Sequence, residues 1–215
     1  MPMPVEWYRT PGHDLPSKSE FDRRYARARR PHRVQYKVIK AIHLLEAGEP
    51  GAIHWAQQLL TEVTVDQDAY RHDKWRAFET LAGIHRGSGQ WELAVQALEQ
   101  AIKITGPGMS GTSGLPDLTM AEILLENDPG SLPLGADLLN SQPLTGRLRF
   151  NSDLFRYHLA AARARQRLGQ DPGPPARRAL ALLENDGPQF PRHPSVGRIH
   201  ASEQTVRELH DLVRP

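Results

Sequence analysis

The hydrophobic positions of this chain recur mainly at the spacing of amphipathic helices. Over residues 72–87, Phe78, Leu81 and Ala82 fall on one helical face. Over residues 90–104, a second apolar stripe consists of Trp91, Ala94, Val95, Leu98, Ala101 and Ile102. Neither helix could bury its stripe alone, because an isolated amphipathic helix leaves that face in water. The pattern therefore predicts two helices that pack against each other as a hairpin.

The same arrangement recurs along the chain with a period of about 40 residues. Its small residues are Ala41, Ala82, Ala121 and Ala162, at intervals of 41, 39 and 41 residues. Three of these alanines are followed seven residues later by a turn residue, Gly48, Gly89 or Gly169. Such a period is typical of repeats that stack so that neighbours complete one core. We predict an all-α fold with four helical hairpins, near 32–64, 72–104, 116–140 and 152–185.

The two ends of the chain differ from this repeat. Residues 1–18 contain four prolines, which oppose a regular helix, so we predict a flexible Pro-rich arm before a repeat domain over 19–215. Ser19 is predicted to cap a basic first helix of that domain. At the other end, Ser202 precedes an amphipathic segment. We predict a helix over 203–213 that caps the end of the array.

The second hairpin resembles a tetratricopeptide repeat. The resemblance lies in the spacing Phe78-x-x-Leu81-Ala82-x-x-His85-x-x-x-Gly89-x-x-x-x-Ala94-x-x-x-Leu98-x-x-Ala101. His85 departs from the aromatic residue that is usual at its position, and the other three hairpins match fewer positions. The resemblance implies a right-handed α-α superhelix of about four such hairpins. It also implies a concave groove that binds a peptide or a partner protein.

In tetratricopeptide repeats, the first helix of each hairpin lines that groove. The resemblance therefore implies that a set of side chains points into the groove. These are Gln35, Val38, Arg76, Glu79, Arg86, Leu118, Glu122, Arg156, Leu159 and Arg163. This mixture of guanidinium groups and aliphatic side chains suits a peptide with carboxylates and one or two apolar anchors. The Lys and Asn clamp by which some family members hold a terminal carboxylate is not matched, since Val38 and Ile42 occupy those places.

Charge is distributed unevenly along the chain. The 215 residues carry 27 Lys and Arg against 25 Asp and Glu, but residues 1–40 carry ten against four. The basic cluster consists of Arg23, Arg24, Arg27, Arg29, Arg30 and Arg33 and is interleaved with aromatic residues. Such a cluster can bind RNA or DNA. It can equally be a solvated or intramolecularly paired helix, or a surface for an acidic protein partner.

The sequence offers little that is typical of catalysis. It contains no Cys, which excludes a disulfide scaffold and a Cys nucleophile. It contains neither a Gly-x-Ser-x-Gly elbow nor a P-loop, and His85 and His158 are interpreted as packing residues. The Gly-rich segment 106–114 is interpreted as a linker, with an anion site as the alternative. We predict a protein that is not an enzyme and has no metal or cofactor.

The most favoured function is therefore a non-enzymatic scaffold or adaptor that binds a protein or peptide in the groove. The alternative is a nucleic-acid-associated protein that uses the basic cluster. No apolar run approaches the roughly 20 residues that a membrane-spanning helix needs. A cytoplasmic location without membrane association is the corresponding expectation.

Overall fold

The computed structural model describes residues 6–104, 114–141, 146–184 and 188–214. Over these ranges it contains ten α-helices, two short 3-10 helices and no strand. The predicted all-α fold class is confirmed. The chain divides into two compact units, Met1–Gly114 and Leu115–Pro215, where a single repeat domain over 19–215 was predicted.

The N-terminal unit contains one helix followed in the chain by two helical hairpins. Its helices are α1 (Leu15–Arg27), α2 (Arg30–Ala47), α3 (Pro50–Val65), α4 (Arg71–Gly87) and α5 (Trp91–Ile104). Successive helices from α2 to α5 pack on one another, because each presents its apolar stripe to the next. Leu44, Ala56 and Leu60 are fully buried between them. The first two predicted hairpins are thus present as α2–α3 and α4–α5.

The C-terminal unit contains two further hairpins and a last helix. Its helices are α6 (Pro116–Asn127), α7 (Leu132–Leu139), α8 (Asn151–Arg167), α9 (Gly173–Leu183) and α10 (Glu203–Val213). Helices α6 and α7 pack together, as do α8 and α9, and α10 packs on α9. Leu209 and Leu212 of α10 are buried in one cluster with Phe155, Ala162 and Ala176. The helix predicted over 203–213 therefore forms and covers the last hairpin.

Two of the predicted turn glycines close their helices in the same way. Gly89 has φ +73°, and its N–H donates to the Arg86 carbonyl at 3.1 Å while Gln90 N–H donates to the His85 carbonyl at 2.9 Å. The same pair of hydrogen bonds closes α8 around Gly169, which has φ +68°. A side chain would strain this left-handed conformation, so glycine is the residue that fits both turns.

The predicted start of the first helix was wrong. Helix α1 begins at Leu15, and the carboxylate of Asp14 accepts the Ser17 N–H at 2.8 Å, so Asp14 rather than Ser19 is the cap. Pro16 was interpreted as opposing helix, but the first turn tolerates proline because its N–H would have no intrahelical partner. The last residues of the predicted arm are therefore helical.

The described part of the arm before α1 packs on the N-terminal unit. Residues Trp7–Arg9 form a short 3-10 helix. The ring of Trp7 contacts those of Phe21 and Tyr36, with centroids 5.2 and 5.3 Å apart. Aromatic packing of this kind holds the segment on the N-terminal unit, although the segment contains no long helix.

A buried lysine ties this segment to α2. Lys40 is 1% exposed, and its Nζ donates to the carbonyls of Thr10 and Gly12 at 2.6 and 2.9 Å. The ammonium also lies 4.8 Å from the ring centroid of Trp55, a cation–π geometry. Burial lowers the pKa of Lys40 to about 8. Lys40 is therefore a structural cation inside the unit.

Candidate cleft between α6, α8 and α10

A cleft of about 540 Å³ opens between α6, α8 and α10 of the C-terminal unit. Its lining residues are Glu122, Leu125, Glu126, Ala160, Arg163, Gln166, Arg167, Gln204 and Glu208. Two of these, Glu122 and Arg163, were predicted to line a groove. Helices α6 and α8 are the first helices of their hairpins, which is where the resemblance placed groove residues.

Helical spacing explains why these side chains meet. On α8, Arg156, Arg163 and Arg167 are separated by seven and four residues, so they share one face of the helix. On α10, Gln204 and Glu208 are four residues apart and share a face in the same way. Arg163 and Arg167 on α8, and Gln204 and Glu208 on α10, therefore face the cleft together.

Two bidentate ion pairs connect the walls of the cleft. Arg156 donates to both carboxylate oxygens of Glu122 at 2.9 and 2.7 Å, and also to the Thr119 hydroxyl at 3.0 Å. Arg163 donates to both oxygens of Glu208 at 2.8 and 2.7 Å. The fork of a guanidinium matches a carboxylate in this geometry. Helix α8 is thus joined to α6 on one side and to α10 on the other.

The Arg163–Glu208 pair shifts the pKa values of both of its members. The hydrogen bonds from Arg163 hold the pKa of Glu208 below its usual value, and the bonds to Glu208 raise the pKa of Arg163. Arg167 donates to the Leu125 carbonyl in the last turn of α6, where a cation also complements the helix dipole. The lining thus carries paired charges of both signs.

The predicted apolar contacts of the groove are not in the cleft. Leu118 is 0% exposed and belongs to the core cluster that includes Ala121 and Leu139, so the prediction that it contacts a partner was wrong. Leu159 is half-buried and packs against the cluster around Phe155. The apolar lining consists instead of Leu125 and Ala160.

The remaining predicted groove residues lie in the N-terminal unit. Gln35 on α2 and Arg76 on α4 are exposed, whereas Glu79 and Arg86 on α4 are half-buried. Val38 is buried in the core of that unit, so it does not line a groove. The structure thus brings Glu122, Arg156 and Arg163 together in one unit and places the other polar candidates in the other unit.

Four arginines of the predicted basic cluster bind their own chain. Arg23 and Arg24 both pair with Glu20 on α1. Arg30 pairs with Asp68 at 2.9 Å. Arg33 donates to two backbone carbonyls, those of Ala28 at 2.9 Å and Ala26 at 2.8 Å. Intramolecular pairing, one of the interpretations left open by the sequence, therefore accounts for these four.

Arg27 and Arg29 differ from the other members of the basic cluster. Both side chains are exposed. Among the described residues, neither guanidinium has a carboxylate within 4.0 Å. These two arginines are therefore the members of the cluster whose guanidinium groups are exposed and, among the described residues, have no carboxylate partner.

Other candidate groups take structural positions or lie outside the described residues. The His85 ring bonds to Gln90 across the turn at 2.8 Å. Burial, with a contribution from Arg178, lowers the pKa of His158, as expected for a packed imidazole. Within the ranges that the structure describes, no three His, Asp or Glu side chains form a metal-binding group. Of the segment 106–114, only Gly114 is described.

In comparisons with known proteins, no family model, no curated protein and no solved structure matches this chain. The tetratricopeptide resemblance of the second hairpin therefore stays a prediction from its residues. Over the described part of the chain, no helix combines the length and the apolar character that crossing a membrane requires.

Proposed function

We propose that this protein is a non-enzymatic scaffold that binds a segment of a partner protein in the cleft between α6, α8 and α10. The observation that carries the proposal is the convergence of three helices on a polar, solvent-open cleft of about 540 Å³. A cleft of this size accommodates a few residues of an extended chain. Because α8 is tied to both other helices by ion pairs, the walls are positioned before a partner arrives, which lowers the entropic cost of binding.

The charge states of the cleft support binding rather than catalysis. A general acid or base needs a pKa near the working pH. Here the pKa of Glu208 is lowered and that of Arg163 is raised, both through their mutual hydrogen bonds. Each group is thereby held further from the pH range in which it could exchange a proton.

The paired arginines also change the chemistry of the proposed partner. Glu122 and Glu208 of the protein itself already occupy the forks of Arg156 and Arg163. A partner therefore does not have to supply carboxylates. The exposed amides of Gln166 and Gln204 each offer a donor and an acceptor, which match the alternating groups of a peptide backbone. We propose a polar, extended segment as the occupant.

The test blocks the cleft without breaking its ion pairs. Gln166→Trp combined with Gln204→Trp places two indoles in the cleft at exposed positions. The matched control, Gln96→Trp with Gln100→Trp, makes the same changes at exposed positions of α5. The full-length variants are used for affinity capture with quantitative mass spectrometry, and circular dichroism verifies that each is folded.

We expect the cleft variant to capture at least about tenfold less of a specific partner protein than the wild type does. The control variant should capture as much of that partner as the wild type. Peptides that tile this partner should then include one extended segment that binds the wild-type protein and not the cleft variant. Equal capture by the wild type, the control and the cleft variant would overturn the proposal.

A further inference from the structure

A second surface lies on the N-terminal unit, where two chain segments meet. The corner between α1 and α2, residues 26–33, contacts the turn between α3 and α4 and the start of α4, residues 66–74, through the Arg30–Asp68 ion pair at 2.9 Å. These two segments, which we call the basic edge, contain six Arg or Lys against three Asp. The basic edge is therefore cationic although the whole chain is nearly neutral.

The corner of the basic edge is fixed by backbone contacts. Arg33 on α2 donates to the Ala28 and Ala26 carbonyls at 2.9 and 2.8 Å, so one guanidinium holds the end of α1 against the start of α2. This arrangement defines where Arg27 and Arg29 leave the backbone. A fixed backbone at this corner favours binding, because less conformational freedom is lost when a ligand binds.

Three exposed arginines of the basic edge are available to an anion. Arg27, Arg29 and Arg71 are all exposed. In the part of the chain that the structure describes, none of them has a carboxylate within 4.0 Å. A guanidinium in this situation can donate two parallel hydrogen bonds to a phosphate. These arginines therefore differ from Arg156 and Arg163, which are paired within their own unit.

An exposed aromatic pair stands beside these cations. Tyr70 is 56% exposed, and its ring stacks on His72, with centroids 6.0 Å apart and planes 14° from parallel. Tyr70 directly precedes Arg71 and lies two residues from Asp68, so it belongs to the same edge. An unpaired nucleobase can stack on an exposed aromatic face of this kind, whichever base it is.

We propose that the basic edge binds single-stranded nucleic acid, with phosphates at Arg27, Arg29 and Arg71 and a base on Tyr70. An acidic protein segment would satisfy the arginines but would leave the aromatic pair without a flat partner. A duplex would supply phosphates, but its bases would stay stacked on one another. This surface and its ligand are separate from the cleft of the C-terminal unit.

The test uses the full-length protein and two labelled 12-nucleotide probes, oligouridine and an abasic strand with the same phosphates. Binding is followed by fluorescence anisotropy at 50 and 200 mM salt. Three phosphate contacts on a single strand predict a slope of about −2 in log affinity against log salt, which is a loss of about 20-fold over this range. No binding at 50 mM salt would overturn the proposal.

Removal of the arginines tests the phosphate contacts. Arg27→Ala, Arg29→Ala and Arg71→Ala combined should remove most of the affinity and of its salt dependence. The matched control removes three exposed arginines of the C-terminal unit, Arg177, Arg178 and Arg192, and therefore changes the net charge equally. An equal loss of affinity in both variants would show nonspecific attraction and would contradict the assignment.

Removal of the tyrosine ring tests the base contact. Tyr70→Ala should weaken oligouridine binding about tenfold and leave abasic-strand binding unchanged, and Tyr70→Phe should retain both. Equal losses on the two probes would rule out stacking. If polyglutamate displaces oligouridine at equal charge concentration, the basic edge is a surface for acidic proteins instead, and the proposal fails.

Discussion

Two sets of arginines, one in each unit, stand in different surroundings. In the C-terminal unit, Arg156 and Arg163 are each bound by both oxygens of one glutamate. At the basic edge of the N-terminal unit, Arg27, Arg29 and Arg71 are exposed and, among the described residues, have no carboxylate within 4.0 Å. The comparison separates cations that hold the fold from cations that face solvent. Arginine content alone cannot make this distinction, because both kinds come from the same residue type.

Lys40 is the extreme case of a cation that holds the fold. We expect Lys40→Ala to lower the free energy of unfolding by about 4 kcal/mol, because it leaves the Thr10 and Gly12 carbonyls without a donor and opens a cavity. Urea denaturation of the full-length protein measures this change. The control is Lys103→Ala at an exposed position of α5, for which less than about 0.5 kcal/mol is expected. Similar values for the two variants would contradict the role assigned to Lys40.

The pKa of Lys40 adds a pH test of the same cation. Its value of about 8 lies below the ordinary lysine pKa of 10.5, so between these two pH values the unfolded chain binds more protons than the folded one. The contribution of Lys40 to stability should therefore rise with pH over this window, by at most about 3 kcal/mol. The difference in unfolding free energy between wild type and Lys40→Met, measured from pH 7 to pH 10.5, isolates the effect. A difference that stays constant, or shrinks as pH rises, would contradict it.

The Arg163–Glu208 pair is partly exposed, at 34% and 32% of its side chains. A double-mutant cycle with Arg163→Ala and Glu208→Ala should give a coupling energy of about 1 kcal/mol, reduced by solvent screening. Because the pKa of Glu208 is lowered, this coupling is complete above the unfolded pKa of a glutamate, near 4.3. It should be lost as pH falls through the lower folded value. A coupling that is zero at pH 7, or unchanged at pH 3, would show that the pair does not join α8 to α10.

The Arg30–Asp68 pair should give the smallest effect. Its side chains are 77% and 54% exposed, so water and salt screen the attraction, and the coupling energy of Arg30→Ala with Asp68→Ala should be below about 0.5 kcal/mol. The same urea titrations at pH 7 measure it beside the Arg163–Glu208 cycle. A larger coupling here than in the cleft would reverse the comparison between the two units.

The sequence predicted the helices well because their signals are local. Apolar spacing located each hairpin, and Gly89 and Gly169 marked turns that the structure closes with left-handed glycines. The first helix was the exception. Four prolines in 18 residues led to the prediction of an arm, although a proline in the first turn is compatible with a helix and Asp14 caps this one.

The candidate cleft was predicted less completely because its contacts are not local. Arg156 meets Glu122, which is 34 positions away, and only the register between α6 and α8 brings them together. The pattern of α6 also does not indicate which of its faces lines a groove, because buried residues occur on nearly every side of this helix. The pattern therefore could not show that Leu118 and Leu125 both belong to the buried core and that, of the two, Leu125 also reaches the cleft.

The contact between Lys40 and residues 10–12 has a practical consequence for producing the protein. A shortened version that starts at Leu15, the first residue of a long helix, would remove both carbonyl acceptors together with the indole of Trp7. The Lys40 ammonium would stay buried without its two carbonyl acceptors, and Phe21 and Tyr36 would lose their contact with the Trp7 ring. Soluble yield should fall as a result, so an expression boundary belongs upstream of Trp7.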